Sequence, residues 1–185
     1  LEQARLIEIH TRTFEAMRAN EGAKQIETLD EAFLGLGKAI RESVHDLSSQ
    51  HQLSTALYDR LNGVLNIQHS LETANTEVQS LATKIDALRG SGRGERFARV
   101  AVDGIDAILL TLLDVARERD QMDLGLLQKM TSEDGMTRVR KAYLAEDNPG
   151  DSTSRMELLA AANHCERLIW LFGDMGLAYE ALESH

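Results

Sequence analysis

The feature that most constrains how this chain can fold is a faint internal repeat. Asp59-Arg60-Leu61 lies near the start of one long stretch with apolar residues at helical spacing, and Glu166-Arg167-Leu168 lies at the matching point of another, 107 positions further on. Three letters recur easily by chance, but here the surroundings recur with them. Each copy follows a break, the polar run Ser48-Ser49-Gln50-His51 before the first and the turn holding Pro149 and Gly150 before the second, and each stretch is long enough for at least about seven helical turns. The arrangement predicts an all-α fold: a helical bundle of two pseudo-repeated three-helix units.

Composition agrees with helices and removes several functions. Aromatic residues make up 4% of the chain and there is one proline, which disfavours sheet and permits long helices. A net charge of −10 opposes a nucleic-acid partner, whose phosphates require a basic stripe. It equally opposes direct binding of this segment to anionic lipid. The single Cys165 excludes an internal disulfide and a cysteine-rich zinc site, and points to a reducing compartment. No apolar run approaches the ~18 residues of a membrane span. Leu1-Glu2-Gln3-Ala4-Arg5 already reads as helix interior, with no basic-then-apolar leader before it. The expectation is a piece of something longer, cut within its first helix.

Along the chain, Leu6, Ile9, Thr13, Phe14 and Met17 mark a first helix over 1–19, ended by Ala19-Asn20-Glu21-Gly22. Ile26, Leu29, Phe33, Leu36, Ile40, Val44 and Leu47 give the buried face of a second, with Ser48-Ser49-Gln50-His51 loosening the pattern. A third, over 52–88, carries Leu57, Val64, Leu71, Val78 and Ile85 every seven residues. Its second row begins at Leu61 and ends at Leu81 and Leu88, with the polar Gln68 and Asn75 between them. Such a drift is what helix geometry imposes against a packed neighbour.

Arg89-Gly90-Ser91-Gly92-Arg93-Gly94 is the strongest linker. The predicted organisation is therefore 1–89 as the first half with its first helix truncated, 90–94 as a glycine-rich linker, and 95–185 as the second half. Within that second half, Val100, Ile105, Ile108, Leu109, Leu112, Leu113 and Ala116 make the fourth helix the most apolar and the central one. A fifth element spans 124–145, with a candidate interruption at Ser132-Glu133-Asp134-Gly135. After the turn Asp147-Asn148-Pro149-Gly150-Asp151, Ser152 or Thr153 is placed to cap a sixth helix over 154–183. That helix has a strict double row, Leu158, Cys165, Phe172 and Tyr179 beside Ala161, Leu168, Met175 and Leu182.

Few residues are arranged for chemistry. Glu42 and Asp46 are an intact i,i+4 acidic pair pointing away from the buried face. A surface Mg²⁺ or Ca²⁺ site is one reading, and a solvated acidic face is the commoner one. No two histidines have the spacing of a zinc helix. His164 is expected to be partly buried and bonded to a neighbour, and His10, His45, His51 and His69 to lie at the surface. Cys165 falls in the buried stripe and reads as a structural thiol. Gly90-x-Gly92-x-Gly94 follows no strand and lacks the lysine and hydroxyl of a phosphate loop. The 147–151 turn lacks the ligand order of an EF-hand. Trp170 stands off the buried stripe, so Trp170 and Leu171 are expected to pack against another element or subunit.

In the second half, Ala162-Asn163-His164 precedes Glu166-Arg167-Leu168-Ile169-Trp170, and the first half holds Asp59-Arg60-Leu61-Asn62-Gly63. These resemble the acidic-Arg-Ile-Gly-Asp sequence in the last helix of each half of the PhoU family. Val139-Arg140-Lys141-Ala142-Tyr143-Leu144 and Glu166-Arg167-Leu168-Ile169-Trp170-Leu171 are similar to the PhoU-like cytoplasmic tail of bacterial sodium/phosphate symporters. The resemblance makes Asp59, Arg60, Glu166 and Arg167 family-motif positions. Members that bind metal use acidic residues at i and i+4; here the partner positions hold Gly63 and Trp170, so a metal cluster of that kind is not expected.

What the resemblance implies is a non-catalytic regulatory domain of a sodium-dependent phosphate transporter, acting in phosphate uptake and homeostasis through helix-mediated contacts. It would work at the cytoplasmic face of the inner membrane, without a cofactor. Its partners would be the transmembrane part of the same polypeptide and, as an option, a second copy. The alternatives are a stand-alone PhoU-like adaptor for a phosphate transport ATPase or sensor kinase, and a helical metal-binding bundle. The last needs inward carboxylates from facing helices, and the buried rows here are Leu, Val, Ile, Ala and Phe.

Overall fold

The computed structural model describes residues 2–21, 23–50, 54–118, 121–146 and 151–183, and every regular element among them is an α-helix. The order is α1 (Glu2–Arg18), α2 (Ala23–Gln50), α3 (Thr55–Gly90), α4 (Glu95–Glu118), α5 (Gln121–Met130), α6 (Glu133–Leu144) and α7 (Ser152–Glu183). The expected fifth element is thus two helices, broken at Thr131 and Ser132. Gly135 lies so close to the Met130 carbonyl that no side chain fits between them, which places the break one turn before it. His51 and the turn residues 147–150 lie outside the described residues.

The breaks follow local chemistry. Asn20 adopts a left-handed φ of 53°, and the Glu21 amide donates back to the Ala16 carbonyl at 2.9 Å, closing α1. At the end of α3 the Arg93 amide donates to the Leu88 carbonyl at 3.0 Å, and Gly92 and Gly94 both sit at φ 69°, where a side chain would be strained. Glu146 Oε2 accepts from the Phe97 amide at 3.3 Å at the start of α4. The cap of α7 is Asp151, not Ser152 or Thr153. Its Oδ1 accepts from the Ser154 amide at 2.8 Å, and this bond holds the carboxyl below its ordinary range.

One continuous core runs through all seven helices. Its spine is the pairing of α3 with α7, which run antiparallel: Gly63 lies against Leu182, Glu77 against His164 at 2.5 Å, and Lys84 against Glu157 at 2.8 Å. Both rows of α7 are buried from Leu158 to Leu182, each full-sized apolar side chain contributing roughly 1.5–3 kcal/mol by leaving water. α4 packs against α1, α5, α6 and α7, the central role its apolar content predicts.

α2 is held through its middle and not at its C-terminal end, because Phe33, Ile40 and Val44 are buried but Leu47 is exposed. The α3 seam is also shorter than its heptads suggest: Leu71, Val78 and Ile85 are buried, Val64 is half-buried and Leu57 is exposed. The polar members of the seam hold α2 in place. Asn75 Nδ2 donates to Asp30 Oδ1 at 2.6 Å, and Gln68 Nε2 donates at 3.0 Å to Glu72 Oε1, which also receives Arg41. Val100 on α4 is exposed despite its place in the apolar series.

Candidate functional site

The second motif copy lies on α7, between α6 on one side and α3 on the other. Arg140 on α6 donates from Nε to Glu166 Oε1 at 2.8 Å and from Nη2 to Glu166 Oε2 at 3.2 Å. Its Nη1 reaches Glu133 Oε1 at 2.8 Å. The fork is bidentate, the geometry a planar guanidinium favours for a carboxylate, and it raises the Arg140 pKa, with the Glu166 hydrogen bonds the main cause. On the other side, Glu77 of α3 takes His164 Nδ1 at 2.5 Å and Arg167 Nη1 at 3.3 Å. His164 is therefore partly buried and bonded, though its partner comes from another helix and not from its own.

The first copy is different. Asp59 and Arg60 are exposed and form no ion pair among the described residues. Gly63, four positions after Asp59, is filled against by the Leu182 side chain. The two copies of the motif thus occupy related places on α3 and α7 and carry unlike surroundings. Neither fits a divalent cation: both oxygens of Glu166 are already held by Arg140, and Asp59 has a glycine where the second carboxylate would be. Among the described residues, no three His, Cys, Asp or Glu side chains are grouped to hold a metal. Glu42 and Asp46 are exposed on α2, and Lys38 lies 3.8 Å from Glu42. A neighbouring ammonium and open solvent do not by themselves make this pair a cation site.

The expected contact residues separate. Leu171 is buried in the chain's own core, whereas Trp170 keeps 58% of its surface exposed. Trp170 borders a shallow depression of about 230 Å³ with Gln128, Thr131, Gly173, Asp174 and Leu177, and Leu177 is exposed too. α5 can approach α7 this closely because Gly173 faces Thr131 and Gly176 faces Leu127.

No protein-family model matches the sequence, and no curated protein matches it either. Among solved structures, PhoU from Pseudomonas aeruginosa superposes with a TM-score of 0.78 at 16% identity, covering 98% of this chain and 91% of that one. The chain has the PhoU-like fold. At that identity the likeness speaks for the fold alone, in which the Arg140–Glu166 fork ties α6 to α7 and the Glu77 bridge ties α7 to α3.

Three features went unseen in the sequence. His10, expected at the surface, is fully buried and stacks on Phe33 with ring centroids 4.6 Å apart. Neither of its ring nitrogens has a hydrogen-bond partner of good geometry among the described residues. Burial pushes its pKa down to about 4, with the Leu71 backbone offsetting part of the effect. Arg18 reaches across from α1 to two carboxylates of α4, Asp103 at 2.9 Å and Asp106 at 2.5 Å. Glu77 was likewise unremarkable within its own helix. Buried Cys165 behaves as its stripe predicts: burial pushes the thiol pKa up and keeps it inert.

Proposed function

We propose that this chain is a non-catalytic regulatory module of phosphate homeostasis, built as the cytoplasmic domain of a sodium-dependent phosphate transporter. The observation that carries the reading is the PhoU-like fold over nearly the whole chain. The sequence runs around Val139–Leu144 and Glu166–Leu171, similar to symporter tails, support the transporter setting. The division at the 90–94 linker into two halves, three helices before it and four after it with α5 and α6 standing in place of one, belongs to this reading.

Regulation by such a module proceeds through helix packing and association. An inert buried thiol and the arginine-neutralised Glu166 favour contacts over bond making. The natural partners are the membrane-embedded part of the same polypeptide, at the cytoplasmic face of the inner membrane, and a second copy of the chain. Trp170 and Leu177 are the apolar groups offered to such a partner.

The second reading is a stand-alone adaptor acting on a phosphate transport ATPase or a sensor kinase. The extent of the match favours it, because the chain spans almost all of the PhoU structure. The reading frame immediately upstream of Leu1 separates the two. Several apolar segments of at least ~18 residues there would establish the transporter domain. A start codon within about twenty residues would establish the adaptor. Either form should alter phosphate uptake when deleted from its host, and unchanged uptake at both high and low phosphate would refute both.

A further inference from the structure

Between α4 and α6, over Ile169 of α7, the structure contains a cavity of about 300 Å³. Its walls are Val100, Ile105, Ile108, Met130, Val139 and Ile169, all apolar. It is open on the α4 side, where a side chain is missing. Gly104 of α4 has nothing within 4 Å of where its Cβ would lie, and Gly135 of α6 is buried at the opposite wall. Met130 is fixed in the wall by the Thr111 hydroxyl, 3.6 Å from its sulfur. The volume is at the small end of ligand sites, which run to about 300–1,000 Å³ with few polar groups. Apolar walls of this kind offer a trapped water few partners.

Two charged side chains stand at the rim, Asp103 and Arg138, and they are not equivalent. Asp103 accepts from Arg18 Nε at 2.9 Å. Arg138 has no hydrogen bond or ion pair among the described residues. The group left to meet a ligand is therefore a guanidinium, which binds carboxylates through a planar fork.

We propose that this cavity binds a small amphipathic carboxylate, with its apolar tail between α4 and α6 and its carboxylate on Arg138. Binding would wedge α6 against α4 and Ile169, one residue from the exposed Trp170, and so couple a metabolite to the surface assigned above to partners.

The test is calorimetric titration of the full chain with sodium decanoate below its micellar concentration. Saturable one-to-one binding is expected. Arg138→Gln should weaken decanoate by about tenfold, the scale of one lost hydrogen bond to a charged group, and should leave 1-decanol binding unchanged. Gly104→Leu should abolish binding of both by filling the space. Val100→Trp, at a side chain already half in water, should do the same from the mouth, so loss of fold in one variant does not end the test. Equal decanoate affinity in wild type and Arg138→Gln would overturn the proposal. So would full binding in both filled variants, tighter binding of decylamine than of decanoate, or no saturable binding by the wild type.

Discussion

Arg18 Nη2 donates to Asp106 Oδ2 at 2.5 Å, and the carboxylate it holds keeps only a tenth of its side-chain surface in water. The guanidinium itself is about half exposed, so the pair sits at the border of the core and fastens α1 to α4. Breaking it leaves a nearly buried charge without its main partner, which costs more than losing a surface pair. Arg18→Met should therefore lower stability by about 2 kcal/mol, below the ~3–5 kcal/mol of a fully buried pair because water reaches the arginine side. Asp103→Asn, at the exposed end of the same arginine, should change it by less than about 1 kcal/mol. Urea unfolding of the two variants checks the contrast.

His10 makes stability depend on acidity. Its folded pKa is about 4 against about 6.5 in an unfolded chain, so the unfolded state takes up the proton first. The contribution is fully present above about pH 6.5, falls as the pH drops toward 4, and levels off below that. The linkage is on the order of 3 kcal/mol across the window. Comparing unfolding free energies at pH 7, 5.5 and 4 for wild type and His10→Phe checks it. The variant should lose most of the slope between pH 6.5 and 4.

Two glycine substitutions should move in opposite directions. Gly35 on α2 has nothing within 4 Å of its absent Cβ, so Gly35→Ala should stabilise by about 0.4–1 kcal/mol through helix propensity and a less flexible unfolded chain. At Gly173 the added carbon would lie 2.7 Å from the Thr131 hydroxyl and 3.0 Å from its Cβ. Gly173→Ala should force α5 off α7 and destabilise by about 1–3 kcal/mol, the usual cost of overpacking. Thermal melts of both variants give the signs.

Trp170 is the chain's single tryptophan, and its exposure makes it a direct reporter. The isolated chain should show red-shifted emission that iodide quenches readily. Association through the Trp170–Leu177 surface should shift the emission to the blue and protect it. Trp170→Ser should alter stability by no more than about 0.5 kcal/mol, as expected of an exposed position, while weakening that association. Quenching that is unchanged when the partner is added would place the contact elsewhere.

How much of this was legible in the chain differs by feature. The double row of α7 is legible in full, because a helix buried along its whole length repeats its apolar residues strictly. The breaks at Asn20 and at Gly92–Gly94 were legible for a local reason, since left-handed residues have few substitutes. The ends of buried faces are not: Leu47 and Leu57 continue a pattern past the point where a neighbouring helix covers it, and Val100 stands off the face that buries Phe97, Ala101 and Ile105. The burial of His10 is not legible, because a single polar letter gives no sign of Phe33 folding over it. The partners of the candidate site were hidden for a third reason. Arg140 reaches Glu166, Arg18 reaches Asp106 and Glu77 reaches His164 across helices, and helical spacing reports only neighbours on the same helix.

The antiparallel pairing of α3 with α7 sets how far the two copies of the motif can differ. An isologous contact between identical protomers obliges every residue to suit both sides of a two-fold axis, and joining the protomers into one chain lifts that obligation. Position by position along the repeat, His164 stands where the first copy has Leu57, and Trp170 where it has Gly63. Gly63 makes room for Leu182, while its counterpart has become the most exposed aromatic ring on α7. Within a single chain, one copy keeps the seam while the other turns its side chain outward.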